Sequence, residues 1–373
     1  MSIFWNFGAQ APSQILQELG EDVPRVERRS VLLQAFLDAL EPDEWLFNQS
    51  LEPELKNKSS FRFNTGVYAR THVNKWYNVK NSLIEQPTDK KGNYFLFEPR
   101  LFRLKTQTNK YIYYKYSHPL GSGSFGEVYL FTIHENFADK VDESRGIFKE
   151  FAVKVPKYRD YSKTWMHEEQ IKKEILTINY FKKDNVFGDI MCASARQLPH
   201  ATSIILMEPF LGNLSDFNNK LNINDAFQIL RCIHKDCVDI FNKTGPNLIY
   251  EDMKLENCLY SGSFEASADT FTVCVGDLGG FIPNGFTIQY SSLHSGYFSA
   301  CPGHLAFCYG LMIVKLLKKQ TATLLGNAFD EFLEKDQIFV GHENKQIALQ
   351  KLIDRKSTQE IKTMEDITEA LSN

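Results

Sequence analysis

Leu248-Ile249-Tyr250-Glu251-Asp252-Met253-Lys254-Leu255-Glu256-Asn257-Cys258-Leu259 is the stretch on which the reading of this chain turns. Two apolar runs enclose a polar segment with the spacing D-x-K-x-x-N, formed by Asp252, Lys254 and Asn257. Asp252 can accept the proton of an attacking hydroxyl and orient its oxygen. Lys254 can neutralise charge on a phosphoryl group in transfer, and Asn257 offers a neutral oxygen to Mg²⁺. An Asp and an Asn in a loop are ordinarily turn formers. The intact spacing between two strand-like runs argues against that plainer explanation.

Downstream, Val273-Cys274-Val275-Gly276-Asp277-Leu278-Gly279 reads as an apolar strand that delivers Asp277 to its end, where a carboxylate suits a hard divalent cation. Leu278 would turn into the core. Upstream, Gly121-Ser122-Gly123-Ser124-Phe125-Gly126 lies between two strand-like runs, Ile112 to Tyr116 and Val128 to Phe131. Gly121, Gly123 and Gly126 allow a tight turn whose amides can face phosphate oxygens. Alone this pattern is a weak signal. Its place between strands, and not at the start of a helix, favours a flap over ATP, with Phe125 at the tip and Val128 against the adenine.

Phe151-Ala152-Val153-Lys154-Val155 alternates, so Ala152 and Lys154 share one face and Val153 and Val155 the other. Ala152 is small enough to lie against a flat base. Lys154 would pair with the α- and β-phosphates, and a carboxylate from the next helix must hold it. Glu174 is the candidate, because Ile178 one turn later can anchor that helix; Glu169 is the reserve. The helix is expected from about Ser162 to Lys182, with apolar positions at Ile171, Ile175, Ile178 and Phe181. Further strands are expected from Ile147 to Val155, near Val186 to Ala193 and from Ser203 to Glu208, with hairpin-like material from Leu259 to Asp277. The polar connection from Glu135 to Arg145 reads as a surface loop.

The 373 residues are 43% hydrophobic and 13% aromatic, enough for two or three compact units with ordinary cores. A net charge of −4, with no dense basic segment, argues against binding nucleic acid or anionic lipid. The segment His304 to Leu317 is too short to span a bilayer and reads as a buried helix. The first residues lack the basic start and apolar stretch of a secretory signal, so a cytoplasmic protein is expected. Seven cysteines without a Cys-x-x-Cys pair read as reduced, small core residues. Residues 1–110 carry an early helical pattern at Val26, Val31, Leu32, Phe36 and Leu40 but no catalytic constellation.

Together these motifs resemble a divergent eukaryotic-type Ser/Thr protein kinase, over roughly residues 112 to 320. The resemblance implies a bilobed α+β fold. A small five-stranded antiparallel N-lobe with one main helix would occupy residues 111–210. A mainly helical C-lobe, abbreviated after the activation segment, would occupy 211–373, behind an N-terminal extension over 1–110. It implies ATP with Mg²⁺, Mn²⁺ being an alternative. Catalytic roles fall to Lys154, Glu174, Asp252 and Lys254, and metal-binding roles to Asn257 and Asp277. Nucleotide contacts fall to the loop residues already named, Val128, Ala152, Lys154 and Leu259, and to a hinge, Met207-Glu208-Pro209-Phe210, where the Glu208 carbonyl and the Phe210 N–H would meet the adenine edge.

The departures from the family pattern are informative. The family's His-Arg-Asp reads Tyr250-Glu251-Asp252, which replaces a phosphate-clamping Arg by a carboxylate that would repel phosphate. Activity independent of phosphorylation at Thr287, Tyr290, Ser291, Ser292 or Ser295 follows as an expectation. Ala-Pro-Glu is reduced to Cys301-Pro302-Gly303, which puts peptide docking in question. Such trimming is similar to that of some kinases that bacteria or viruses deploy inside host cells, which would place the protein in a host cytosol. A protein substrate is expected; residues 1–110 read as a folded extension packed on the kinase domain, the alternative being a regulatory or targeting module that binds a partner or covers the active cleft. The competing readings are a kinase-fold scaffold or pseudokinase that acts by binding, and a kinase of a lipid, inositol or other small-molecule hydroxyl.

Overall fold

Alternating apolar residues build a curled, wholly antiparallel sheet in the first half of a mixed α+β chain. The computed structural model describes residues 25–42, 68–70, 76–78, 101–106, 110–123, 126–156, 164–183, 191–197, 203–217, 221–245, 247–262, 271–285, 287–289, 297–318, 337–354, 357 and 359–372. They fall into two units, Met1–Pro209 and Phe210–Asn373.

In the first unit the described elements are α1 (Arg25–Ala39), β1 (Leu40–Pro42), a small hairpin of β2 (Tyr68–Arg70) and β3 (Trp76–Asn78), β4 (Leu101–Lys105), β5 (Tyr111–Ser122), β6 (Gly126–Ile133), β7 (Glu150–Pro156), α2 (Thr164–Lys183), β8 (Ala193–Gln197) and β9 (Ser203–Met207). The main sheet has the order β1-β4-β5-β6-β7-β9-β8. Register follows the alternation of β7. Val153 lies opposite Tyr129 and Leu206, and Lys154 opposite Val128 and Ile205.

One face carries Phe131, Phe151, Val153, Val155 and Leu206, and α1 covers it with Leu32, Leu33, Phe36 and Leu37, joined by Leu40 at the start of β1. Phe36 is the centre of that contact, its ring 5.5 Å from Tyr114, 5.3 Å from Phe148 and 6.0 Å from Phe151. Val128, Ala152 and Lys154 point to the other face, where α2 packs through its buried Ile171, Ile178 and Phe181.

The expected five-stranded sheet with one helix is therefore corrected to seven strands and two helices. Leu40–Pro42 and Leu101–Lys105, both from the segment read as an extension, pair along the edge of β5. The physical reason is that Phe102 and Leu104 bury the inward face of β4 while Arg103 bonds Glu41 at 2.8 Å and lies over the Tyr111 ring. The third expected strand starts at Glu150, not Ile147, and the fourth at Ala193; residues 184–190 lie outside the described set. The connection from Glu135 to Arg145 forms two short, exposed 3₁₀ turns.

The second unit holds β10 (Gly212–Asn213), α3 (Ile223–Lys243), β11 (Leu248–Tyr250), β12 (Cys258–Ser261), β13 (Thr272–Val275), β14 (Phe281–Pro283), β15 (Thr287–Gln289), β16 (Tyr297–Ser299), α4 (Pro302–Lys318), α5 (Glu343–Ile353) and α6 (Met364–Ser372). Asn222 and Asp225 form a reciprocal capping box that starts α3. The expected hairpin is present as β12 against β13. Helix α4 is apolar around most of its surface and is buried, and Gly310 lets α5 approach so closely that a Cβ there would lie 2.4 Å from Ile353. No helix among the described residues is long and apolar enough to cross a membrane. All seven cysteines are free thiols, but Cys232 is exposed, so they are not uniformly core residues.

Phe36→Ala removes the ring that joins α1 to Tyr114 and Phe151 of the sheet and to Phe148 beside it, and should cost about 3–5 kcal/mol in denaturant unfolding. Leu176→Ala, at an exposed site on α2, should change stability by less than about 0.5 kcal/mol.

Burial pulls the His234 imidazole down to about 4, against the Met364 carbonyl that it bonds and the nearby Glu365. The unfolded chain therefore binds the proton first. Stability is full above the ordinary value of 6.5 and falls as pH drops towards 4, by up to about 3 kcal/mol. Unfolding free energies of wild type and His234→Gln, measured across that range, should diverge with the wild type losing more on acidification.

Candidate active site

Lys154 sits on β7 between hydrophobic neighbours that face the opposite way, so the strand cannot slip by one residue without burying the ammonium in the aromatic core. Its Nζ donates to Glu174 Oε2 at 2.6 Å; the lysine side chain is 15% exposed and the glutamate 2%. The helix partner chosen from sequence is the one that makes this contact. The side chain of Glu169 lies outside the described residues.

The glycine turn joins β5 to β6, with Gly121 opposite Val128 and Ser122 opposite Glu127. The Gly123 N–H donates to the Gly126 carbonyl at 2.9 Å and closes the turn. The glycines differ in their reasons. A Cβ at Gly126 would lie 3.0 Å from the Val155 carbonyl and 3.3 Å from Lys154 Cε, whereas one at Gly121 would meet nothing within 4 Å. Gly126 is thus required by the sheet, and Gly121 borders open space. Phe125 lies outside the described residues. Glu127, unremarked in the sequence, is buried, and its carboxylate accepts the Tyr129 hydroxyl at 2.5 Å.

Val128 and Ala152 share the Lys154 face, with Ala152 opposite Met207 at the end of β9. Glu208 follows. Its N–H donates to the Cys192 carbonyl at 3.2 Å, and its Oε1 accepts the Cys192 N–H at 3.0 Å. Burial pushes the Glu208 carboxyl above its usual range, and the Cys192 bond opposes that rise. The boundary between the two units falls between Pro209 and Phe210, inside the segment read as a hinge.

In the second unit, β11 runs into the segment containing Asp252, and β12 and β13 bring Asn257 and Asp277 to the same corner. Lys254 Nζ lies 2.6 Å from Asp252 Oδ2, and Asn257 Nδ2 donates to Asp252 O and Oδ2, each at 2.9 Å. Both side chains of the Lys254–Asp252 pair are about half exposed, so it contributes little stability; its value lies in mutual placement. The Gly276 N–H donates to the Asn257 carbonyl at 2.7 Å, which sets Asp277 one residue beyond that bond. Leu278 is fully buried, and Leu259 packs under Gly276, where a Cβ would lie 2.4 Å from Leu259 Cγ.

Two residues that hold this corner were given no role at the site from the sequence. Tyr250 is buried, and its hydroxyl donates to the Asp277 carbonyl at 2.7 Å, so the side chain two residues before Asp252 fixes the backbone at Asp277. His304, on the first turn of α4, donates Nε2–H to the Glu251 carbonyl at 3.2 Å. Burial draws its imidazole below the ordinary value. Cys301-Pro302-Gly303 opens α4 and, with His304, Phe307 and Ile361, lines a cavity of about 490 Å³. The side chain of Thr287 and the positions Tyr290, Ser291, Ser292 and Ser295 lie outside the described residues.

Among the described residues no group of three or more His, Cys, Asp or Glu side chains is placed to hold a metal ion alone. Mg²⁺ that takes one carboxylate, one amide oxygen and the oxygens of phosphate and water needs no such group, and the oxygen donors of Asp277 and Asn257 suit it. No protein-family model matches the chain, and no curated protein sequence matches it.

Gly280 allows the Tyr250 ring its position, since a Cβ there would lie 2.8 Å from two ring atoms. Gly280→Ala should cost about 1–3 kcal/mol in thermal or chemical unfolding. Gly121→Ala, which meets open space, should leave the folded state within about 0.5 kcal/mol of wild type.

Proposed function

We propose that the chain is an ATP- and Mg²⁺-dependent protein kinase that transfers the γ-phosphoryl group to Ser or Thr hydroxyls. The observation that carries this reading is the Lys154–Glu174 pair. Desolvating both charges is expensive, and a buried ion pair is a poor way to stabilise a fold. A lysine held rigid on a strand, with its amine still partly accessible, suits phosphate recognition.

In this reading Lys154, oriented by Glu174, takes the α- and β-phosphates while the amides of the turn from Gly121 to Gly126 face phosphate oxygens. Ala152, Val128 and Leu259 take the flat faces of the base, and the Glu208 carbonyl and Phe210 N–H take its edge. Asn257 and Asp277 would hold Mg²⁺, which when bound would supply positive charge to offset that of the phosphates. Asp252 accepts the proton of the substrate hydroxyl, and Lys254, whose Nζ lies 2.6 Å from that carboxylate, offsets charge on the transferring group. Glu251 stands where a phosphate-clamping arginine would act, so this activity would not depend on phosphorylation of residues 287–295. A cytosolic setting suits both the cofactor and the free thiols.

Incubation of the purified chain with γ-labelled ATP and Mg²⁺, alone and with a cytosolic extract, tests the proposal. Wild type should label protein Ser or Thr. Asp252→Ala and Asp277→Ala should each reduce the rate by about 10²–10⁴-fold without unfolding. Absence of transfer by folded wild type would leave a binding scaffold, and label confined to a lipid, inositol or other small acceptor would replace the protein substrate.

A further inference from the structure

β8 is the last strand of the main sheet, so its outward N–H and C=O groups would lack a strand partner. Helix α1 supplies the partners instead. Gln34 Nε2 donates to the Ala193 carbonyl at 2.8 Å, and the Ala193 N–H donates to Gln34 Oε1 at 3.1 Å, so one amide side chain pairs both groups of a strand residue. One residue earlier, Cys192 Sγ donates to the Ser30 carbonyl at 3.3 Å. Beyond it, Ser194 Oγ donates to Asp38 Oδ1 at 2.7 Å, and the Arg196 guanidinium caps carbonyls in the last turn of α1, at Leu37 and Asp38, and that of Leu40 just after it.

These contacts reach the proposed nucleotide site through the backbone. Cys192 exchanges two hydrogen bonds with Glu208, and Ala193 pairs with Met207. The edge strand gripped by α1 is thus the strand against which the expected adenine-recognising backbone is laid. We infer that Gln34 is a positioning residue for nucleotide binding: by pairing both backbone groups of Ala193 it fixes Cys192 and, through it, the Glu208 carbonyl. This rests on the kinase reading for its ligand, and it makes α1 a support of the site. A cover over the site is a different role, and α1 lies on the sheet face opposite Lys154.

The test uses the full chain carrying Gln34→Met, which keeps the length of the side chain and removes both hydrogen bonds. Ser194→Ala is the control, because it weakens the α1–β8 contact further from Glu208. Losing about 1 kcal/mol of hydrogen bonding at the hinge corresponds to about a fivefold rise in the KM for MgATP, with kcat and the KM for the protein acceptor within about twofold of wild type. Hydrogen exchange at the Glu208 amide should quicken in Gln34→Met and not in Ser194→Ala. Unchanged exchange at Glu208 overturns the inference whatever the activity, and quicker exchange with an unchanged KM for MgATP overturns it as well. If Gln34→Met does not fold, Gln34→Glu, which keeps an acceptor for the Ala193 N–H alone, is read by the same two measurements. If wild type neither binds nor turns over MgATP, the kinase reading fails, and the exchange data still report whether Gln34 holds Glu208.

Discussion

The ion pair of Lys154 and Glu174 constrains both elements that carry it. A charged side chain in the middle of a sheet is tolerable only if its strand keeps one register, because a slip by one residue would exchange Lys154 with Val153 or Val155 and place it among Phe131, Phe151 and Phe36. The same pair sets the rotation of α2. Ile171, Ile178 and Phe181 bury one stripe of that helix, and Glu174, one turn from Ile171 and from Ile178, shares the stripe. The hydrophobic face and the ionic contact select the same orientation, so neither has to be strained to satisfy the other.

The second unit solves a similar problem without a buried ion pair. Asp252 is half exposed and is placed by donors, not by a buried counter-charge: Asn257 Nδ2 and Lys254 Nζ both reach its carboxylate. What must be rigid there is the backbone between Asp252 and Asp277. Tyr250 supplies that rigidity through its hydroxyl on the Asp277 carbonyl, its ring edge-on to Phe281 at 4.8 Å, and the β11–β14 pairing of Tyr250 with Phe281. The Glu251 N–H bond to the Gly280 carbonyl at 2.9 Å closes the same loop. A small core of aromatic packing and main-chain bonds thus lets the exposed Asp252 stay solvated and holds the backbone of the partly buried Asp277 in place.

Much of this was legible in the amino-acid order because it depends on short-range pattern. Alternation in Phe151 to Val155 separated Lys154 from its neighbours, and the spacing of Ile171, Ile178 and Phe181 placed Glu174 on the inner side of a helix. The role of α1 was not legible. Its apolar positions marked a helix, but the surface that receives it is assembled from strands 60 to 170 residues away, between Leu101 and Met207. β4 was missed for a related reason: five residues with only Phe102 and Leu104 inward are too few to stand out until β5 lies beside them. Tyr250 and His304 act through a hydroxyl and a ring nitrogen on carbonyls 27 and 53 residues away, and such bonds leave no periodicity to read.

The placement of α1 also changes what the N-terminal part of the chain can be. A separable regulatory module would bury a modest, polar surface and could leave without exposing a core. Here Leu32, Leu33, Phe36, Leu37 and Leu40 are nearly or fully buried against the sheet, and Arg196 gives up hydration to bond the carbonyls at the end of the helix. Burial lowers the affinity of that guanidinium for its proton, while Asp38 and Glu41 raise it, so the charge is held by the segment that it caps. Removing α1 would leave an aromatic sheet face in water and a buried cation without its carbonyls. The segment from Arg25 to Pro42 is therefore part of the unit's own core, and any regulatory role of the N-terminal region has to work through a helix that the fold cannot release.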